Sequence, residues 1–211
     1  MGTDREARAL GAGDILEVEG NKYTLRPIVV KQLCDLEREA LEYYKRQYLK
    51  TYFDNLDFIE PESKRNELME KKLEEAAQWD VSSLPQKEVF DASRIPVNDK
   101  VKEWVKKTFD ITPSDDIIYS AALSLALDTE KIKPAELQEM TGIAPRKGLV
   151  RYDQWWVTAS TEGMTRFVYA SLRNEQDNKL TYKDICEWPY LKLAEASRIV
   201  EKITVAQMGN G

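Results

Sequence analysis

The stretch DQWWVTASTEGMTRFVYASLRN, residues 153–174, with its continuation LTYKDICEWPYLKLAEASRIVEKITV, residues 180–205, decides the fold. It reads as two amphipathic helices joined by a short turn. Ser160 or Thr161 can cap the first by accepting a bond from a free backbone N–H, and Met164, Phe167, Val168 and Leu172 then recur at helical spacing on one face. The period breaks near Asn178. Thr181, followed three residues later by Asp184, makes a capping box weakened by the short reach of Asp, and a new turn starts there. Pro189 separates this piece from a final helix whose apolar side is Leu193, Ala196, Ile199, Val200 and Ile203.

Upstream, residues 1–13 show no period and read as a mobile arm. DILEVEGNKYTLRP, residues 14–27, reads as a hairpin closed by Gly20-Asn21. Pairing Glu19 with Lys22 sets Val18 opposite Tyr23 and Leu16 opposite Leu25, with all four apolar residues on one face; a one-residue slip would destroy that agreement. From about Val30 to about Tyr52 the period is helical, through Leu33, Leu36, Ala40, Tyr44 and Tyr48. The tyrosines of this helix (Tyr43, Tyr44, Tyr48 and Tyr52) suit either a helix–helix seam or an aromatic surface for a partner. Pro61 opens a second long, densely charged helix, so residues 14–80 form a hairpin with two long helices. Residues 81–97, with Pro85 and Pro96, lack a sustained period and read as a connector or exposed loop.

The remaining 98–211 reads as a C-terminal helical part that can share one domain with 14–80. Asn98 caps a helix carrying Val101, Trp104, Val105 and Phe109 on one face. Pro113 and Ser114 open the most apolar helix of the chain, where Ile117, Ile118, Ala121, Ala122, Leu123, Leu125 and Ala126 wrap most of the circumference, the expected centre of the core. A short helix from Pro134 to Thr141 ends at Gly142, and a loop containing Arg146, Lys147 and Arg151 leads to Trp155. The fold expected is mainly α-helical with a small N-terminal antiparallel β-hairpin.

Composition narrows the chemistry. With 42% hydrophobic and 32% charged residues the chain is an ordinary globular sequence, and 211 residues can bury roughly 70% of the unfolded surface. No apolar run approaches the roughly 20 residues that cross a bilayer, and MGTDREARAL lacks an apolar signal core, so neither secretion nor a membrane span is expected. Cys34 and Cys186, each within a helical pattern among apolar neighbours, make no disulfide framework and point to a reducing cytosol. The absence of histidine removes the commonest general base and transition-metal ligand, and no phosphate loop, dinucleotide fingerprint or nucleophile elbow occurs. Asp115, Asp116 and Asp153 could supply a carboxylate-only site, although the helix N-terminus explains the first two without catalysis. No enzymatic activity, metal or cofactor is expected. AELQEMTGIAP resembles the middle of a helix-turn-helix, which makes a helical DNA-binding regulator using residues near 135–150 the alternative reading. Pro145 and Gly148 interrupt the recognition helix, and the net charge of −6 repels nucleic acid, so none is expected as a partner.

The order of features, GNKYTLRPI leading into a long helix, then WWVTASTEGMTRFVYASLRN, then LTYKDICEWPYLKLAEASRIVEKI, resembles the tail assembly chaperones of long-tailed, siphovirus-like bacteriophages over about two thirds of the chain. The charged Pro61 to Val97 region stands outside the resemblance. What the resemblance implies is a non-enzymatic helical protein that binds the tape-measure protein, keeps its long apolar helices soluble and helps recruit tail-tube subunits in the host cell cytoplasm. A client helix would then lay its apolar stripe in a groove, with Trp155, Trp156, Phe167 and Tyr169 as candidate anchors. Adjacent Trp155 and Trp156 cannot both point inward, so at least one is expected to be partly exposed. A homo-oligomer stays open.

Overall fold

The computed structural model describes residues 14–59, 61–92, 94–110, 112–113, 116–172 and 180–208. The expected arm at 1–13 lies outside the described residues, as do Asn178, Ser114 and Asp115. An antiparallel ribbon of β1 (Asp14–Val18) and β2 (Asn21–Leu25) opens the described chain. Leu16, Val18 and Leu25 are buried while Ile15 and Glu17 face outward, so the expected face is the one observed. The partners differ: Leu16 pairs with Tyr23 and Asp14 with Leu25, two residues from the expected register. The turn uses Glu19 (φ 50°) and Gly20 (φ 80°), both left-handed, as a two-residue turn matched to strand twist requires. A shift of two residues leaves the same side chains on the same face, so apolar alternation alone does not resolve it.

Helix α1 (Val30–Asp54) follows, burying Leu36, Ala40 and Leu41. Helix α2 (Glu62–Ala77) has Pro61 just before its first residue rather than within it, and buries only Ala76, which leaves its charged faces in water. Residues 81–97 are not an unstructured connector. A single 3-10 turn at Val81–Ser83, held by Asp80 accepting from the Ser82 N–H at 2.8 Å, leads into β3 (Gln86–Asp91). Strand β3 pairs antiparallel with β4 (Arg146–Arg151), in the segment expected to be a loop. The alternating pattern of β3 is short and mixed in polarity because a two-stranded ribbon is only partly covered, so its period falls below what a sequence window resolves.

Between the two strands run α3 (Asp99–Phe109), α4 (Asp116–Asp128) and α5 (Pro134–Thr141). Asn98 caps α3 by accepting from the Val101 N–H at 3.0 Å, and Gly142 ends α5 at φ 76°. After β4 come α6 (Tyr152–Ala159), α7 (Thr161–Leu172), α8 (Tyr182–Cys186) and α9 (Tyr190–Met208). The expected Thr181–Asp184 box is formed in both directions: the Thr181 N–H donates to Asp184 Oδ2 at 2.7 Å and the Asp184 N–H to Thr181 Oγ1 at 3.4 Å.

Burial divides into two cores. One joins the hairpin and α1 to α6–α9, through Leu16, Leu25, Leu36, Trp156, Met164, Phe167, Val168, Leu193 and Val200 among others. The other lies between β3 and α5, with Val101, Val105, Ala122, Leu123, Ala126 and Leu137. The apolar helix α4 is thus the centre of the second core only. Helix α9 serves both, burying Leu193 in the first and resting Leu191 against the second. The backbone between β2 and α1 is tied down by buried hydroxyls. Ser171 Oγ accepts from the Arg26 N–H at 2.8 Å and donates to the Arg26 carbonyl at 2.6 Å, and Thr204 Oγ1 accepts from the Ile28 N–H at 3.0 Å. These bonds match the rule that buried polar groups find partners.

Candidate interaction site

The α6–α7 junction shapes the surroundings of the tryptophan pair. Ser160 ends one helix and caps the next: its Oγ donates to the Trp156 carbonyl at 2.7 Å and accepts from the Gly163 N–H at 3.0 Å. This break re-aims the chain so that the first turn of α7 lies on the last turn of α6. The approach is close enough that a Cβ on Gly163 would collide with the Trp156 carbonyl group and lie 2.8 Å from its ring.

That packing sorts the four candidate anchors. Trp156 is 1% exposed and Phe167 is 4% exposed, both in the first core, so neither presents a side chain to a partner. Their positions as anchors are corrected on this ground: Trp156 is covered by α7 and by Tyr43, whose ring lies 5.9 Å away. Trp155, one position before it, is partly exposed, as two adjacent aromatic residues on one helix require. Tyr169 is also partly exposed, edge-on to Tyr182 at 5.9 Å.

Trp155 continues into a run of rings. It lies 5.2 Å from Tyr152, which meets Tyr44 edge-on at 4.9 Å; Tyr44 stacks on Trp79 at 5.8 Å, and Trp79 meets Tyr48 at 5.0 Å. Two of the four tyrosines of α1, Tyr44 and Tyr48, therefore form a seam, closed by Trp79 just past α2 and Tyr152 at the start of α6, while Tyr43 packs on Trp156. All but Tyr152 remain partly exposed along it. Lysines edge both ends: Lys87 Nζ sits 3.3 Å over the Trp155 ring, and Lys72 Nζ lies 5.2 Å from both Tyr48 and Tyr52. Burial pushes the Tyr152 hydroxyl up to about 12, with Tyr43 and Tyr44 adding to it, and pushes the Lys87 ammonium down against the pull of Asp128. Phe58, in the connection after α1, is 91% exposed. Sequence reading missed Trp79 and Tyr152. Tyr152 was legible at three residues before Trp155 on one helix face, whereas Trp79 meets α1 through tertiary packing alone.

The basic segment after Gly142 forms β4, so no recognition helix follows α5 and the helix-turn-helix geometry is not formed there. Its cations face the protein's own carboxylates. Lys147 pairs with Glu88 at 2.6 Å, Arg146 stands opposite Asp91 in the ladder, and Arg151 forks onto Asp153 through Nε at 2.9 Å and Nη2 at 3.1 Å. That fork explains buried Asp153, and Asp116 lies 3.8 Å from Lys102. Among the described residues no group of three or more cysteine, aspartate or glutamate side chains converges to hold a metal ion. Cys34 and Cys186 are both exposed free thiols. No described helix is long and apolar enough to cross a membrane.

The class these features define is a mainly α-helical protein with an N-terminal antiparallel hairpin and a second, internal two-stranded ribbon. Comparison of the chain with protein-family models, with curated proteins and with solved structures finds no match.

Proposed function

We propose that this chain is a non-enzymatic tail assembly chaperone of a long-tailed bacteriophage, acting in the host cytoplasm. It binds the tape-measure protein, holds that protein's long apolar helices in solution and helps recruit tail-tube subunits. Beside the resemblance of the sequence, the observation that supports this reading is the partly exposed aromatic run from Trp155 through Tyr44 and Trp79 to Tyr48, edged by Lys87 and Lys72. Rigid rings with polar tips and a lysine rim match what an amphipathic client helix needs: apolar area for its stripe and charge at the edge. Trp155 and Trp79 take the anchoring role in place of buried Trp156 and Phe167.

Co-expression with the tape-measure protein of the same phage tests this. The expected result is that the partner becomes soluble and co-elutes at high salt, because apolar contact is little screened. Trp155→Ala combined with Trp79→Ala is expected to abolish co-elution while the helical circular dichroism is kept. A partner that stays insoluble, or a complex that dissolves in salt, overturns the reading.

A further inference from the structure

Strand β4 is bonded to β3 along one edge, and among the described residues no strand pairs with its other edge. The ladder shows which main-chain groups point each way. The Tyr152 N–H donates to the Pro85 carbonyl at 3.0 Å, which extends the register by a hydrogen-bonded pair; by alternation Lys87 with Val150, Val89 with Gly148 and Asp91 with Arg146 are hydrogen-bonded pairs too. The N–H groups of Lys147, Leu149 and Arg151 and the carbonyls of Lys147 and Leu149 therefore point away from β3, while the Arg151 carbonyl starts α6 as its N-cap. None of those five groups has a bonding partner among the described residues. Exposure agrees with the parity: Lys147, Leu149 and Arg151 are exposed, Leu149 at 66%, whereas Gly148 and Val150 between them are half-buried. The opposite edge of the ribbon is occupied at one end, where the Phe90 carbonyl accepts from Ser124 Oγ of α4 at 3.3 Å. An open edge with three successive outward residues is a template for one more strand.

We propose that the free edge of β4 binds an extended acidic segment of a partner polypeptide as a third, antiparallel strand, with an apolar residue opposite Leu149 and an acidic residue opposite each of Lys147 and Arg151. Side chains directly opposite one another in an antiparallel pair lie about 5 Å apart, so the alternation of cation, leucine and cation along β4 selects acid, apolar and acid. Both cations keep donors for that strand. Lys147 Nζ bonds Glu88 at 2.6 Å on the β3 side, and Arg151 bonds Asp153 and Glu37 through Nε and Nη2, which leaves its Nη1 without a partner among the described residues. A second copy of this chain is the wrong occupant: antiparallel self-pairing about Leu149 sets Lys147 of each copy opposite Arg151 of the other, and like charges directly opposite are destabilising. This edge does not rest on the tape-measure reading and is testable without that client.

The test uses the whole protein, labelled with ¹⁵N, titrated with the acetylated and amidated peptide Thr-Glu-Thr-Val-Thr-Glu-Thr. The expected result is a saturable downfield movement of the Lys147, Leu149 and Arg151 amide resonances, with those of Gly148 and Val150, already bonded to β3, moving least. N-methylation of the peptide's valine, whose N–H faces β4 in the bound strand, is expected to weaken binding roughly tenfold or more, and N-methylation of the threonine on either side of it, whose N–H faces away, to leave binding in place. Replacing both glutamates with lysine is expected to weaken binding by a similar factor. No saturable movement at the three amides, or equal binding of the valine-methylated peptide, overturns the edge as a strand-binding site. Equal binding of the lysine peptide overturns the acidic occupant. Movement of the same three amides on raising the protein concentration, with no peptide present, gives the edge to a second copy and overturns the proposal.

Discussion

At Gly163 a single missing methyl group lets two helices touch, since a Cβ there would run into the Trp156 carbonyl. Gly163→Ala is expected to cost about 3 kcal/mol in urea denaturation, by forcing α7 away from α6. Gly148→Ala, where nothing lies within 4 Å of the added carbon, is expected to leave stability unchanged or slightly raised. Ser171→Ala strips both the N–H and the carbonyl of Arg26 of a partner and is expected to cost about 2 kcal/mol by the same measurement. Tyr152 gives a pH signature. Its folded value, about 12, stands above the ordinary 10.0, so the neutral phenol favours the fold; that contribution is complete below pH 10.0 and is lost as the pH climbs towards 12. Tyr152→Phe is expected to flatten the loss of stability over that range and to remove one late-titrating phenolate from the ultraviolet absorbance titration. The Ser160 cap and the apolar stripe of α7 were legible, because both are local rules about which residue starts a helix and how often apolar ones recur. The closeness at Gly163 was not, since it depends on a helix that is local in sequence but folded back by the Ser160 break. Nor was the division of labour within the tryptophan pair: the sequence requires that one turn outward, and only tertiary packing chooses Trp155.

Elements repeat that lesson with strands. The N-terminal hairpin, its buried face and its place before α1 were all readable from alternation, yet the turn takes Glu19-Gly20 as its left-handed pair rather than the expected Gly20-Asn21, a choice that alternation does not decide. Glu19 at φ 50° is an unfavourable occupant of such a position. Glu19→Asn, which creates an Asn-Gly turn with Gly20, is expected to stabilise the protein by roughly 0.5–1 kcal/mol, seen as a higher denaturation midpoint. The β3–β4 ribbon escaped sequence reading because its strands are far apart in the chain and each is covered on one side only, by α4 through Ser124 Oγ on the Phe90 carbonyl and by α6. Helices α1, α3, α4, α5 and α9 were legible because long apolar periods and caps specify them without reference to neighbours.

For the molecule as a whole, the decisive arrangement is that the two ends of the described chain share one core and the middle builds another. Helix α9 bridges them, so the cores are expected to unfold together. Leu193→Ala is expected to lower stability by about 3 kcal/mol, and hydrogen exchange should show α7 and α3 losing protection in the same step. Separate steps would mean that α9 does not couple the cores. Strands β3 and β4 are the doorway to the middle core: Asp91 and Arg146, where the chain leaves and returns, are ladder partners. To the rest of the protein, residues 92–145 therefore occupy the place of a hairpin loop. In connectivity a short turn from Asp91 to Arg146 would replace the whole segment, but its removal would also uncover Leu191 on α9 and the side of β3 that α4 covers.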